Sequence, residues 1–172
     1  MAGGLTPSEE PSKFLATIWT RIERARGGDP AARDQVYWQY RKPVVRFLER
    51  RLPPAGDAEA LADDVIMDVL DPDFLGRADR AKGRFRDLLL AVTRYQLFNY
   101  RRWLKAKVRD HRRNLSFDDV GSLDAASEDE VREFDRFYAD EVFQEALERF
   151  RREAEQRGSP EARIVDLFYR SG

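Results

Sequence analysis

The sequence predicts an all-α protein. Apolar residues recur at three- and four-residue spacing in almost every patterned stretch, and no stretch alternates as a half-buried strand would. The breaks between patterns carry helix start and stop residues rather than hairpin turns. At 172 residues with 42% hydrophobic content, the chain has enough apolar side chains for a core.

Taken in order, residues 1–11 read as a disordered polar lead. Ser12 can cap a first helix whose apolar face carries Phe14, Leu15, Ile18, Trp19 and Ile22. "GGDP" breaks the chain, and Asp29 as N-cap with Pro30 at the first helical position restarts it. The second helix carries Val36, Tyr37, Tyr40, Val44, Phe47 and Leu48 to about Leu52, with a kink expected at Pro43. "LPPAGD" is the next break. Asp57 caps a third helix to about Leu70, and turn residues make 71–84 a structured loop. A long fourth helix is expected over 85–112, a polar linker over 114–129, and an acidic amphipathic helix over 130–157, stopped by Gly158. Ser159 and Pro160 begin a last short helix. The domain division is 12–113, then the linker, then 130–172.

Charge is uneven. The net charge is −1, yet 37% of residues are charged, against a usual quarter. Arg101, Arg102, Lys105, Lys107, Arg109, Arg112 and Arg113 form a basic run, and a dense acidic stretch from Asp118 to Glu141 follows. Such blocks point to segments with different partners, or to one covering the other. The lack of cysteine rules out disulfides and thiolate metal sites and fits a reducing compartment. No apolar run is long enough to cross a membrane and no secretory signal is present, so a cytoplasmic protein without a membrane partner is expected.

Wound at about 100° per residue, the fourth helix separates into two sides. Phe85, Leu88, Leu89, Val92, Gln96, Asn99, Tyr100 and Trp103 gather on one, which makes Trp103 a core residue and Asn99 a structural hydrogen-bonding one. Arg94, Phe98, Arg101, Arg102, Lys105, Arg109 and Arg112 gather on the other. Phe98 either packs beneath a later segment or offers a stacking surface to an unpaired base. The cations form either a solvated face or a phosphate-binding one, and so many like charges favour an anionic partner.

On the third helix Leu61, Val65 and Val69 make the buried stripe, with Glu59, Asp63, Asp64 and Met67 outside. Neighbouring carboxylates without a histidine argue against a metal site, and a methionine among acids suits docking to a basic partner. His111 is the only histidine and lies in the basic run; there is no nucleophile elbow and no phosphate-binding glycine loop. No catalytic residue, metal or cofactor is expected.

Three stretches, "DPAARDQVYWQYRKPVVRFLERRL", "DAEALADDVIMDVL" and "FRDLLLAVTRYQLFNYRRWLKAK", resemble in order and spacing the second conserved region of sigma-70-type RNA polymerase sigma factors of the extracytoplasmic-function (ECF) class. The resemblance covers about residues 29–107. It implies that the third helix docks on the clamp helices of the largest subunit of core RNA polymerase through Glu59, Asp63, Asp64 and Met67. An Asp-Asp pair stands where Gln-Glu is commoner. It further implies that the loop captures a base flipped from the single-stranded minus-ten promoter element through Arg77, Arg80, Lys82 and Arg84. Arg94, Phe98, Arg101, Arg102 and Lys105 would hold the adjacent DNA, with Arg109 on the same side. "SPEARIVDLFYRSG" resembles the start of the family's second helical domain, and the sequence ends before a recognition helix.

The acidic helix is then expected to keep an apolar side of Val131, Phe134, Tyr138, Val142 and Phe150 that seeks the first domain or another chain. The resulting expectation is a transcription initiation factor, with an anti-sigma or other regulatory partner possible. The alternative is a helical interaction or antagonist module whose acidic segment masks its basic helix.

Overall fold

The computed structural model describes residues 13–106 apart from 55, then 120–121 and 124–158; for 13–18 and 106 it describes the backbone only. The expected lead, the Ser12 cap, Arg109 and the rest of the distal basic run, most of the linker and the last short helix lie outside the described residues. Within them the chain is all-α, with six helices and no strand. They are α1 (Lys13–Arg26), α2 (Pro30–Glu49), α3 (Ala58–Val69), the single turn α4 (Pro72–Leu75), α5 (Phe85–Ala106) and α6 (Glu128–Gln156).

Local chemistry sets the helix starts. The Asp29 carboxylate accepts from the Ala31 and Ala32 amides at 3.0 and 3.2 Å, two donors the first turn of α2 leaves orphaned. Asp57 does the same for Ala60 at 2.9 Å. Gly28, at φ 87°, makes the left-handed turn out of α1. α2 continues unbroken through Pro43, whose ring is buried. The loop at 71–84 is as structured as its turn residues imply. Asp71 caps α4, Asp79 caps a 3₁₀ turn (Arg80–Lys82), and buried Phe74 and Leu75 tether it to the core.

α2 is the hub of the bundle, packing against α1, α3, α5 and α6. Its buried Val36, Tyr40, Val44, Phe47 and Leu48 meet Leu61, Val65, Ile66 and Val69 of α3 and Leu89, Leu90 and Val92 of α5 in one core. α6 begins two residues before the expected start, because Ser127 and Glu130 form a capping box. The Glu130 amide donates to Ser127 Oγ at 3.2 Å, and the Ser127 amide donates to Glu130 Oε2 at 3.1 Å.

The apolar side of α6 closes on the first domain. Phe134, Phe137 and Tyr138 are buried, with Val131 and Val142 packed beside them, while Phe150 stays exposed. Tyr138 stacks on Tyr40 at 5.2 Å, and Phe134 meets Phe47 edge-on at 5.8 Å. Each such buried ring contributes roughly 1.5–3 kcal/mol. Ion pairs follow the same seam, Arg51 to Glu133 at 2.5 Å, Arg46 to Asp140 at 3.1 Å and Lys42 to Glu141 at 2.6 Å. Their order makes α6 antiparallel to α2.

Candidate nucleic-acid and partner surfaces

The basic side of α5 divides where α6 crosses it. At the amino-terminal end, Arg84 forks onto Asp87 at 2.6 Å and reaches Asp135 of α6 at 2.8 Å. Asp87 and Asp135 hold the Arg84 guanidinium above its ordinary pKa. Burial would raise the Asp87 carboxyl, but the Arg84 hydrogen bonds outweigh it and the value falls below 3.8. Arg86 pairs with Asp135 at 3.0 Å and lies over the Tyr138 ring at 5.2 Å. Arg94 meets Glu130 at 3.3 Å and donates to the Asp124 carbonyl at 2.6 Å. Arg84 and Arg94, expected at the DNA, are engaged inside the protein.

Nearer the carboxy-terminal end, among the described residues, Arg101, Arg102 and Lys105 meet no carboxylate. Arg101 is exposed and donates one hydrogen bond, at 2.7 Å, to the Arg51 carbonyl just beyond α2. Arg102 lies over the Phe98 ring at 5.7 Å. Phe98 is 49% exposed, so it does not pack beneath α6 and stays available to an incoming ring. Trp103 is half-buried against Tyr100 at 5.5 Å rather than sealed in the core. Asn99 is half-buried, and its Nδ2 is shut from solvent without a hydrogen-bond partner among the described residues.

The second group of cations lies at the opposite end of α5. Arg77, Arg80 and Lys82 are exposed, with no ion pair among the described residues. With Arg26 of α1 and the carboxylates Glu23 and Asp79 they line a cleft of about 470 Å³ that also takes in Trp19, Ile22 and Leu75. Arg26 escaped the sequence reading because nothing local joins α1 to a loop fifty residues later. The structure therefore does not gather the expected nucleic-acid residues into one patch. From Phe85 to Arg101 a helix advances about 24 Å at 1.5 Å per residue, and the stretch between the groups is neutralised by α6.

On α3 the four expected docking residues also part. Asp63 faces α2, accepting from the Tyr37 hydroxyl at 2.7 Å and from Arg41 Nε at 2.7 Å, and the Arg41 bond holds its carboxyl below the ordinary 3.8. Its side chain still keeps 40% exposure, so it stands at the margin of the outer side of α3. It lies at the edge of the α3 stripe, where a half-buried guanidinium needs a partner. Glu59 is more exposed and meets the same Arg41 at 3.1 Å. Asp64 is half-buried, and Met67 is 56% exposed.

Trp38 on α2, 68% exposed, was not among the expected site residues. The signal was present, since the residue falls off the Val36, Tyr40, Val44 face of its own helix. Among the described residues no cluster of histidine, cysteine, aspartate and glutamate is arranged to hold a metal ion, and no helix is long and apolar enough to cross a membrane. No protein-family model matches the chain, and no significant match exists to a curated protein or a solved structure.

Proposed function

We propose that the chain is a sigma-type transcription initiation factor, or the promoter-opening part of one. In this reading the outer side of α3, with Glu59, Asp64 and Met67, docks on core RNA polymerase. The cleft cations and the distal half of α5 hold the minus-ten strand of the promoter. One observation carries the reading. Among the described residues, cations without carboxylate partners stand in the loop before α5 and on its distal half, while Arg84, Arg86 and Arg94 between them are paired with carboxylates.

Unstacking a base costs a few kcal/mol. Stacking on an exposed aromatic such as Phe98 returns about 1–3 kcal/mol per base, and phosphate contacts add counterion release. The chain makes and breaks no bond in this scheme and needs no cofactor.

Gel filtration of the full chain with purified core RNA polymerase tests the docking half. Co-elution that is lost on combining Asp64→Arg with Met67→Ala is expected. A folded wild-type chain that elutes alone would remove the reading. Fluorescence anisotropy with a labelled single-stranded minus-ten oligonucleotide tests the DNA half, and salt-independent or absent binding would remove that.

The pairing of α6 with Arg84, Arg86 and Arg94 favours a second reading, a regulatory module whose acidic helix masks part of its own basic face. It predicts polymerase binding without promoter-strand binding.

A further inference from the structure

We propose that the outer face of α2 is a docking trough for a basic amphipathic helix of a partner protein, which closes over Trp38. The trough is bounded on both sides. Toward α3, the Trp38 ring meets Tyr37 edge-to-face at 5.0 Å, and the Tyr37 hydroxyl is held by Asp63 at 2.7 Å. The tryptophan is thus braced on one side, and the residue as a whole is 68% exposed. Glu59 continues that wall, and Met67 lies one turn beyond Asp63 on α3.

The other wall is α6. Lys42, one turn after Trp38, meets Glu141 at 2.6 Å, and Glu145 and Glu148 lie near enough to act on the same ammonium. Asp34 sits one turn before Trp38 and is exposed. Asp34, Glu59, Asp63, Glu141, Glu145 and Glu148 therefore stand on α2 and on the two helices that flank it, with Arg41 paired to Glu59 and Asp63 and Lys42 paired to Glu141.

That excess of carboxylate chooses the occupant. A symmetric pairing of two copies through this face would set acid against acid. A helix with lysine or arginine on one flank and leucine-like residues on its contact face would pair with both walls and cover the indole and Met67. A guanidinium could also stack on the indole, since tryptophan is the best aromatic partner for a cation. Buried tryptophans are typical anchors of such contacts. The trough shares Glu59 and Met67 with the proposed polymerase surface but does not depend on that reading, and its test does not use polymerase.

The full chain is titrated with a 20-residue helical peptide carrying leucines on one face and lysines on the other, following tryptophan emission. Trp38 is the most exposed tryptophan with a described side chain; Trp19 is buried and Trp103 half-buried. A saturable blue shift is expected, absent in Trp38→Phe. Trp38→Ala should weaken binding about tenfold or more, as loss of an anchor does. Combining Glu145→Lys with Glu148→Lys should weaken it and flatten its salt dependence, and a peptide with glutamates in place of the lysines should not bind. Failure of the lysine peptide to saturate overturns the proposal, as does binding of unchanged strength by the correctly folded Trp38→Ala chain. Sedimentation showing that the chain self-associates through Trp38 also overturns it.

Discussion

The two ends of α5 carry the same kind of residue and meet different fates. Arg84, Arg86 and Arg94 are held by Asp87, Asp135 and Glu130, and they help fasten α6 to the bundle. Arg101, Arg102 and Lys105 keep their charge turned outward, with Phe98 open beside them. A helical wheel treats both sets alike, because it sees only the helix on which they stand. What separates them is a segment some forty residues later that covers one end and not the other. Cations at the first end belong to stability, and cations at the second are available to a partner.

The sharpest break in this comparison is to detach α6. Phe134→Ala empties a site packed against Phe47 and should cost about 3–5 kcal/mol in denaturant unfolding of the whole chain. A change below 1 kcal/mol would mean that α6 is not part of the folded unit. Next comes the distal end. Arg101→Ala with Arg102→Ala should weaken single-stranded DNA binding by an order of magnitude or more, and lower the salt slope by about 1.4 if each arginine meets one phosphate. An unchanged slope would place that end outside the contact.

The matching double change at the proximal end, Arg84→Ala with Arg94→Ala, should leave that slope alone and cost about 1 kcal/mol of stability, since both pairs are partly exposed. Affinity falling instead would show that α6 moves aside for DNA.

The smallest effect concerns Asp68, which faces Gln96 across the α3 and α5 contact and accepts its hydrogen bond. Burial raises its carboxyl above the ordinary 3.8, so the native state binds a proton more readily than the unfolded one. Its ionisation therefore costs stability, and that cost grows as pH rises from 3.8 through the raised native value. Asp68→Asn should be slightly more stable than wild type at neutral pH, with the gap closing below that window in thermal melts.

Much of the fold was legible because its helix starts are written locally. Asp29 with Pro30, and Asp57, act within three residues of themselves. The capping box at Ser127 was equally local and sets the start of α6 two residues earlier than the apolar pattern suggested. The apolar side of α6 was legible as a face in search of cover, but the sequence left open whether the first domain or another chain would supply it. The site was less legible, because its decisive contacts are distant in sequence. Arg84 finds Asp135 fifty-one residues on, and Asp63 reaches back twenty-two residues to Arg41. The cleft that adds Arg26 to the loop depends on how α1 packs. Trp38 is the one omission that the pattern of its own helix could have prevented.

The hydrogen bond from Gln39 to Tyr138 spans ninety-nine residues, and the Arg46 to Asp140 pair spans ninety-four. During synthesis, the groove of α2 that takes Tyr138 and Phe134 thus waits for the last third of the chain. At 5–20 residues per second the delay is roughly 5–20 seconds. Over that interval the nascent bundle presents Tyr40 and Phe47 without their final cover.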